Sequence, residues 1–338
     1  MNNQKKVTII AEAGVNHNGD IRTALDLVEA AADVGADIIK FQTFITESIV
    51  TKYSKKANYQ NRNNSEKDDS QFSMLKKLEL SMEDHKLIID KCKSLNIEFL
   101  STGFDLESLD LLRNLGLKRY KIPSGEINNL PYLRKISEYN KPIIMSTGMA
   151  TIDEIEAAFN ILIDCGIPSN DLTILQCTSE YPAPIDEINL KVMSFFQRKF
   201  KVNVGISDHS EGIEVAIAAT ALGASVVEKH LTLDKRMIGP DHKASIEPVE
   251  FKKMVLGIKK IEKALGFENK IITKSELKNK NIVRKSLVAA KKIKKGELFT
   301  KENIGCKRPG YGISPMKIDQ IIGSISQKDY LIDEMIEI

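Results

Sequence analysis

The chain has 338 residues, of which 42% are hydrophobic and 28% are charged, and its formal net charge at pH 7 is +3. This composition is ordinary for a soluble globular protein, and so small a charge does not indicate nucleic-acid binding. The four cysteines are far apart and form no CxxC pair, which indicates reduced thiols. No segment approaches the roughly 20 apolar residues of a membrane span, and the N-terminal apolar run is too short for a signal peptide. We therefore expect a soluble, cytoplasmic protein.

Short apolar runs alternate with amphipathic segments of helical periodicity through residues 1–266. The runs lie at 7–14, 37–43, 98–104, 119–125, 142–148, 172–178, 202–209 and 225–232. Eight strand–helix units of this kind predict a (β/α)8 TIM barrel. A doubly wound open sheet is the alternative. The number of units and the absence of a GxGxxG motif after the first strand favour the closed barrel.

Three segments depart from this repeat. Residues 44–83 form a long polar stretch after the second strand, and such a loop covers a site, contacts a partner or is disordered. Residues 267–283 are expected to be a linker. Residues 284–338 are expected to form a small β-rich domain. Between positions 284 and 308 this domain carries nine Lys or Arg and two Glu, which suits an anionic ligand, although a solvated lysine face is equally ordinary.

Nearly every predicted strand ends on polar residues. In a TIM barrel the chemistry collects at the carboxyl ends of the strands, so these residues are the first candidates for an active site. They include Glu12, Lys40, Gln42, Thr102, Lys121, Ser124, Ser146, Ser207, His209, Glu228 and His230. A barrel built for stability alone needs no such ring.

Two histidines lie at the ends of neighbouring strands. His209 ends the seventh strand and His230 the eighth, so both imidazoles are expected at the same rim. Two neutral imidazoles with carboxylates nearby, such as Glu12 and Asp241, favour a divalent metal site. The alternative is that each histidine is only hydrogen-bonded in the core. A further histidine, His85, lies in a helical segment and is expected at the surface.

Two lysines lie within apolar strands, where an ammonium is costly to bury unless an anion compensates it. Lys40 and Lys121, with Ser146, can form a cradle for a phosphate or carboxylate. One of the lysines could instead form a Schiff base, which requires a lowered pKa. Salt bridges to Glu12 or Glu126 are the purely structural interpretation, and they can coexist with a function.

Nine segments together resemble the N-acetylneuraminate (sialic acid) synthase family, which includes the N,N'-diacetyllegionaminic acid synthases. They are AEAGVNHNGD, ADIIKFQTF, KIPSGEI, STGMAT, CTSEYPAP, GISDHSEG, VVEKHLTLDK, GPDHKASIEP and KRPGYGISP. The resemblance runs nearly from end to end and implies a TIM barrel followed by an antifreeze-like (SAF) domain, in a domain-swapped homodimer. It also implies condensation of phosphoenolpyruvate with an N-acylated mannosamine-type sugar, with Mn²⁺ or a similar divalent ion (Mg²⁺, Co²⁺) as cofactor.

The resemblance also implies roles for individual residues. His209 and His230 would bind the metal, and Glu126, Glu12, Lys121 and Asp241 would be catalytic, with Glu126 transferring a proton. Arg308 would reach the sugar's N-acyl group from the second subunit. The remaining substrate-binding positions are Lys40, Gln42, Thr102, Ser124, Ser146, Ser179, Tyr181 and Ser207.

Four functions remain open on the sequence. The first is the synthesis of N-acetylneuraminate from N-acetylmannosamine, and the second uses 2,4-diacetamido-2,4,6-trideoxymannose to give N,N'-diacetyllegionaminic acid. A Schiff-base pyruvate aldolase is more distant. A non-catalytic carbohydrate- or ice-binding protein built on the C-terminal module is the fourth. Neither nucleic acid nor a membrane is expected as a partner.

Overall fold

The structure, a computed structural model, describes residues 6–57, 60 and 70–337. The chain divides into two compact units, Met1–Gly266 and Phe267–Ile338. The first unit carries the alternating strands and helices, and the second is small and rich in turns and short strands.

Eight parallel strands form one sheet in the first unit. In this sheet β1 pairs with both β2 and β8, and the order is β3-β2-β1-β8-β7-β6-β5-β4, as in a barrel. The predicted TIM-barrel fold is therefore confirmed. The strands are β1 (Thr8–Gly14), β2 (Ile38–Thr43), β3 (Glu98–Gly103), β4 (Tyr120–Ile122), β5 (Ile143–Ser146), β6 (Leu172–Cys177), β7 (Asn203–Asp208) and β8 (Val226–His230).

Helices connect these strands and cover the sheet. Their apolar faces pack on the sheet, and the buried residues of both form one large core. They are α1 (Ile21–Val34), α2 (Thr46–Ile49), α3 (Gln71–Lys76), α4 (Met82–Ser94), α5 (Leu106–Asn114), α6 (Leu130–Ser137), α7 (Ile152–Asp164), α8 (Lys191–Phe200), α9 (Glu214–Ala221) and α10 (Pro248–Leu265). Within the described ranges, no helix has the length and apolar character that crossing a membrane requires.

A tyrosine bridges the edge between β3 and β4, two strands that lie in contact at the ends of the sheet order. The hydroxyl of Tyr132, on α6, donates to the carbonyl of Gly103 at 2.6 Å and lies 3.4 Å from the carbonyl of Lys121. Tyr132 is fully buried, so its hydroxyl satisfies strand carbonyls where water has no access.

The second unit has its own small core, which includes Leu287, Phe299 and Tyr330. Its antiparallel strands are β9 (Ser286–Ala289) and β10 (Ile304–Lys307), and its short last helix is α12 (Ile318–Ile321). The segment 267–283, expected to be a linker, contains helix α11 (Lys274–Val283). Thr273 and Glu276 begin this helix with a capping box, a local signal for a helix N-terminus.

The long segment 44–83 includes α2 and α3 and the first two residues of α4. Its positions 58, 59 and 61–69 lie outside the described residues. The described part places Phe44, Met74 and Leu78 in a small apolar cluster apart from the barrel core. The segment therefore folds onto the barrel at this cluster.

The expectation that His85 lies at the surface is wrong. Its side chain is fully buried, with Nε2 2.8 Å from the Thr43 hydroxyl and Nδ1 2.7 Å from the Ser81 carbonyl. The helical pattern around His85 is real, but this residue lies on the face that packs on the barrel. Two hydrogen bonds make an imidazole acceptable there.

His17 is also buried, and burial lowers its pKa from 6.5 to about 4. Between these two pH values the unfolded chain binds the proton and the folded chain does not, so stability falls as the pH decreases through this range. We expect the free energy of unfolding to lose up to about 3 kcal/mol from this residue between pH 6.5 and pH 4. Urea unfolding at several pH values measures this loss, and His17→Gln should reduce it. An identical pH dependence in the variant would contradict the assignment.

Candidate active site

A cavity of about 440 Å³ opens at the carboxyl ends of the barrel strands. Fourteen of the fifteen residues predicted for the site line it, and the structure thus brings residues from all eight strands and their loops together. They are Glu12, Lys40, Gln42, Thr102, Lys121, Ser124, Glu126, Ser146, Ser179, Tyr181, Ser207, His209, His230 and Asp241. The fifteenth, Arg308, belongs to the second unit, where it is exposed and its Nε donates to the Val283 carbonyl at 2.8 Å.

The cavity floor holds a network of buried charges. Lys40 Nζ lies 2.8 Å from the Glu12 carboxylate and 3.7 Å from that of Glu228, and it donates to the Thr102 hydroxyl at 3.0 Å. Burial disfavours the ammonium of Lys40, but the two carboxylates outweigh burial and raise its pKa. Lys40 is therefore a fixed positive charge at the cavity floor.

Lys121 lies on the other side of the Glu228 carboxylate from Lys40. Its Nζ donates to the Ser146 hydroxyl at 2.6 Å and lies 3.7 Å from Glu228. Burial lowers the pKa of Lys121, whereas Lys121 and Lys40 together overcome burial and lower the pKa of Glu228. The two lysines share the Glu228 carboxylate, and Glu12 pairs with Lys40 as well, so an incoming anion would compete with these two carboxylates for the ammonium groups.

Gly148 lies against two serine hydroxyls next to this cradle. The Gly148 amide donates to the Ser124 hydroxyl at 2.9 Å. A Cβ at position 148 would lie 2.1 Å from the Ser179 hydroxyl and 2.9 Å from that of Ser124. A larger residue here would therefore displace both hydroxyls from these positions.

The two histidines predicted as metal ligands are neighbours, with ring centroids 5.3 Å apart. His209 Nδ1 lies 2.7 Å from the Thr178 carbonyl, which can only accept, so Nδ1 carries a proton. The ring of Tyr181 stacks on His209 at 4.1 Å and meets His230 edge-on at 5.6 Å. His230 Nδ1 is buried without a hydrogen bond and lies 3.9 Å from an Asp241 oxygen.

These residues fit a divalent metal by their chemistry. Burial lowers the pKa of His230 well below its usual value, so its imidazole is neutral and one of its ring nitrogens has a lone pair available for coordination. A buried ring nitrogen without a partner is rare unless something else binds it. In the described part of the chain, no group of three or more His, Cys, Asp or Glu is arranged as a complete metal site. A metal held here would need ligands from substrate or water.

Three carboxyl groups at the cavity have raised pKa values. Burial, with repulsion from Glu228, raises the pKa of Glu12 to about 7, and burial raises that of Asp241 to about 6. Burial also raises the pKa of Glu126, whose carboxylate accepts a hydrogen bond from Asn129 at 2.6 Å. Carboxyl groups with raised pKa values suit proton transfer.

A buried ion pair lies directly behind the two histidines. In β7 and β8 successive side chains alternate, so Asp208 and Lys229 face away from the cavity, while Ser207 and Glu228 face into it. Lys229 Nζ lies 2.8 Å from the Asp208 carboxylate and also donates to the Ser210 carbonyl, and both side chains are fully buried. This pair fixes the ends of the two strands that carry the imidazoles.

Sequence reasoning named Glu228 among the strand-end candidates without a specific role and did not single out Cys177, although both line the cavity. Glu228 lies two residues before His230 in the same strand and therefore on the same face, and this spacing is the signal that identifies it. The apolar residues Phe44 and Phe104 of the cavity were not predicted, because nothing in their local pattern distinguishes them from core residues. The segment that carries Met74 was expected to cover a site or contact a partner, and Met74 lines the cavity.

Two known families match the sequence of this chain. Residues 27–270 match the NeuB family, and residues 284–337 match the SAF domain. The chain belongs to the NeuB family. The resemblance to sialic acid synthases found in the sequence is thereby confirmed, and the predicted small C-terminal domain is of the antifreeze-like type.

Two curated relatives of this NeuB-family chain are similar over nearly their whole length. The N,N'-diacetyllegionaminic acid synthase of Campylobacter jejuni is 55% identical over 332 residues, which cover 98% of this chain and 99% of the relative. The N,N'-diacetyllegionaminic acid synthase of Legionella pneumophila is 47% identical, with 94% of this chain and 89% of the relative covered.

Among solved structures, the N-acetylneuraminic acid (sialic acid) synthetase of Leptospira borgpetersenii, in complex with citrate, matches with a TM-score of 0.70. It is 33% identical, and the match covers 81% of this chain and 90% of that protein. The barrel and the family assignment thus agree in sequence and in structure.

The Asp208–Lys229 pair predicts a large effect on stability. Removing one partner leaves an uncompensated buried charge, so Lys229→Met should lower the free energy of unfolding by about 3–5 kcal/mol. Urea unfolding followed by circular dichroism measures this change. The double variant Asp208→Leu/Lys229→Met should lose less than the sum of the two single variants, because it buries no unpaired charge. Additive losses would show that the two side chains do not depend on each other.

Proposed function

We propose that this protein condenses phosphoenolpyruvate with 2,4-diacetamido-2,4,6-trideoxymannose and water, giving N,N'-diacetyllegionaminic acid and phosphate. The observation that carries the reaction type is the convergence of two buried lysines and two imidazoles at one cavity of a NeuB-family barrel. The choice of sugar rests on the names of the two relatives, which favour this alternative over N-acetylmannosamine.

The lysine cradle binds the anionic substrate. Lys40 and Lys121 contact the phosphate and carboxylate of phosphoenolpyruvate. The Thr102 and Ser146 hydroxyls accept from these lysines and keep a proton to donate to the same anion, while Ser207 lines the site and donates to Glu228. Fixed donors in a buried site cost no reorganisation when charge develops, so the cradle holds the ester in position for reaction.

The imidazole pair receives the aldehyde end of the open-chain sugar. His209 and His230 would hold a divalent cation such as Mn²⁺, which when bound polarises a carbonyl oxygen as a Lewis acid. Tyr181 stacks on His209 and keeps its ring in one orientation. Asp241, beside His230, and Gln42, which lies 3.4 Å from Glu12, are placed to contact the sugar.

The bond changes balance without a further reactant. The methylene carbon of phosphoenolpyruvate forms a bond to C1 of the sugar, whose carbonyl oxygen takes a proton. Water adds to C2 of phosphoenolpyruvate and loses a proton. The bond between C2 and the phosphate oxygen then breaks, the new hydroxyl loses its proton to become the keto group, and phosphate leaves. Glu126 and Glu12, whose pKa values are raised by burial, exchange these protons.

A Schiff-base pyruvate aldolase is the second candidate. The observation that favours it is the pKa of Lys121, which burial lowers, as a nucleophilic lysine requires. Against it, Lys121 donates to Ser146 and lies beside the Glu228 carboxylate, contacts that suit an ammonium. Borohydride reduction in the presence of pyruvate separates the two, because only the aldolase leaves a covalent adduct.

The proposed function includes a homodimer in which Arg308 of a partner subunit reaches the sugar's N-acyl group. The exposed position of Arg308, after β10, leaves its guanidinium accessible to another molecule. An arginine can donate to an acyl carbonyl and still remain charged in a semi-buried site.

The decisive experiment measures phosphate release from phosphoenolpyruvate with each of the two sugars, with and without Mn²⁺, and after treatment with EDTA. We expect release with the diacetamido sugar, less release with N-acetylmannosamine, and loss of activity in EDTA that Mn²⁺ restores. No release with either sugar would overturn the proposal. Full activity in EDTA would overturn its metal dependence alone.

Removing either imidazole tests the predicted metal ligands. His209→Ala and His230→Ala should each reduce kcat by two or more orders of magnitude, because an oriented electrophile contributes several kcal/mol to the rate. Steady-state kinetics measure this, with circular dichroism to verify folding and metal analysis of the purified variants. A folded variant that retains normal turnover would contradict the assignment.

Removing the arginine tests the contact between subunits. Arg308→Ala should raise KM for the sugar roughly tenfold, while KM for phosphoenolpyruvate stays nearly constant, because a lost hydrogen bond to a neutral group costs about 1–2 kcal/mol. Lys301→Ala is the control, since it removes an exposed cation from the same unit. Unchanged sugar kinetics in Arg308→Ala would remove this part of the proposal.

A further inference from the structure

We infer that an apolar wall in the cavity binds the C4–C6 end of the sugar and selects for a substrate that is deoxygenated at C6 and acylated at C4. The apolar wall comprises Val15, Phe44, Met74 and Leu78, with Ile49, Leu75 and Phe104 packed against them. All seven line the cavity. This inference rests on the proposed function and specifies the substrate of the same site.

The apolar wall is a layer distinct from the polar floor. On β2 the inward residue Gln42 is followed two positions later by Phe44, and on β3 Thr102 is followed by Phe104. Two residues is the repeat of a strand, so each strand changes from polar to apolar on one face as it leaves the barrel. The polar groups therefore lie at the level of the strands, and the apolar groups lie above them.

Helix α3 completes the apolar layer from the segment that follows β2. Met74 and Leu78 are 4% and 6% exposed and pack with Phe44 and Val15, in a cluster separate from the barrel core. This cluster lies over a cavity that contains four buried charged groups, Glu12, Lys40, Lys121 and Glu228. The stability of the barrel does not require the apolar wall to face the charged floor. This arrangement suits a ligand that has a charged or polar end and an apolar end.

The proposed sugar has this dual character. Its aldehyde end reacts at the polar floor, so C4 to C6 extend outward to the level of the apolar wall. Compared with N-acetylmannosamine, it carries a methyl group in place of the C6 hydroxymethyl group and an acetamido group in place of the C4 hydroxyl. Against an apolar surface a hydroxyl loses its water without gaining a partner, whereas a methyl group gains from burial.

Polar contacts for the added acetamido group are also available. Gln60 and Gln71 also line the cavity, and the Gln60 carboxamide accepts a hydrogen bond from the Ala57 amide at 2.8 Å. Its NH₂ group can donate to the acetamido carbonyl while the acetamido methyl contacts the apolar wall. The layer thus offers a carboxamide and a hydrophobic surface together, which suits an N-acyl group better than a hydroxyl.

The test replaces Met74 by glutamine, which has similar length but a polar end. One methyl group in an apolar pocket is worth roughly tenfold in discrimination, so Met74→Gln should lower kcat/KM for the diacetamido sugar about tenfold. For N-acetylmannosamine we expect a change of less than about threefold, because its hydroxyls gain nothing from the wall. The ratio between the two sugars should therefore fall, while KM for phosphoenolpyruvate stays nearly constant.

The matched control is Met82→Gln, the same exchange at an exposed residue that begins α4 outside the cavity. It should leave both sugars unaffected. Leu75→Gln is a second variant on the apolar wall at a half-buried position, and it should shift the ratio in the same direction if Met74→Gln does not fold. Thermal unfolding shows which variants are folded.

Equal losses for both sugars in Met74→Gln and Leu75→Gln, or no loss in either, would overturn the inference. Calorimetric titration of each sugar measures the same ratio without turnover, so it decides the matter even if the wild-type protein releases no phosphate. In that case the proposed reaction fails while binding selectivity still tests the apolar wall. A wild-type protein that turns over both sugars, with an unchanged ratio in the variants, contradicts only the wall.

Discussion

The buried ion pair between Asp208 and Lys229 is the constraint on which the site depends. It joins two neighbouring strands at the position where their cavity-facing side chains become His209 and His230. A charge pair inside a protein is costly unless its geometry is good, and here the Ser210 backbone and hydroxyl satisfy the remaining atoms. A strand that slipped by one residue would bury unpaired charges and turn its own imidazole away from the cavity, so the pair sets the register in which the histidines meet.

The floor of the cavity also contains buried charges that must be compensated by partners. Its two lysines and two glutamates are also buried, but they do not form separate pairs, because Glu228 is shared between Lys40 and Lys121 and Lys40 also contacts Glu12. The Asp208–Lys229 pair faces away from the cavity, whereas the charges of the floor line it. Strand β8 contributes to both groups of charges, because its successive side chains alternate between the two faces. Glu228 and His230 lie on one face and Lys229 on the other.

Much of this arrangement was predictable from the sequence, because a TIM barrel places strand ends at one rim. Eleven polar residues at those ends could be identified one by one, and all of them line one cavity. The resemblance to the family added Glu126, Ser179 and Tyr181, which line it as well. The surface assignment of His85 was wrong, since periodicity identifies a helix but does not show which of its polar residues finds partners inside. Glu228 received no role because local pattern does not distinguish a residue that organises two lysines from one that pairs with a single neighbour.

The sequence by itself determined the order of strands and helices, the rim at which the chemistry lies and the family, because periodicity and motif spacing are local properties of the chain. Only the tertiary structure decided which charges neutralise one another, which imidazole nitrogen lacks a partner, and that Val15, Phe44, Met74 and Leu78 form one surface over the charged floor. These features depend on distances between residues that are far apart in the chain, and such distances exist only after the barrel has closed.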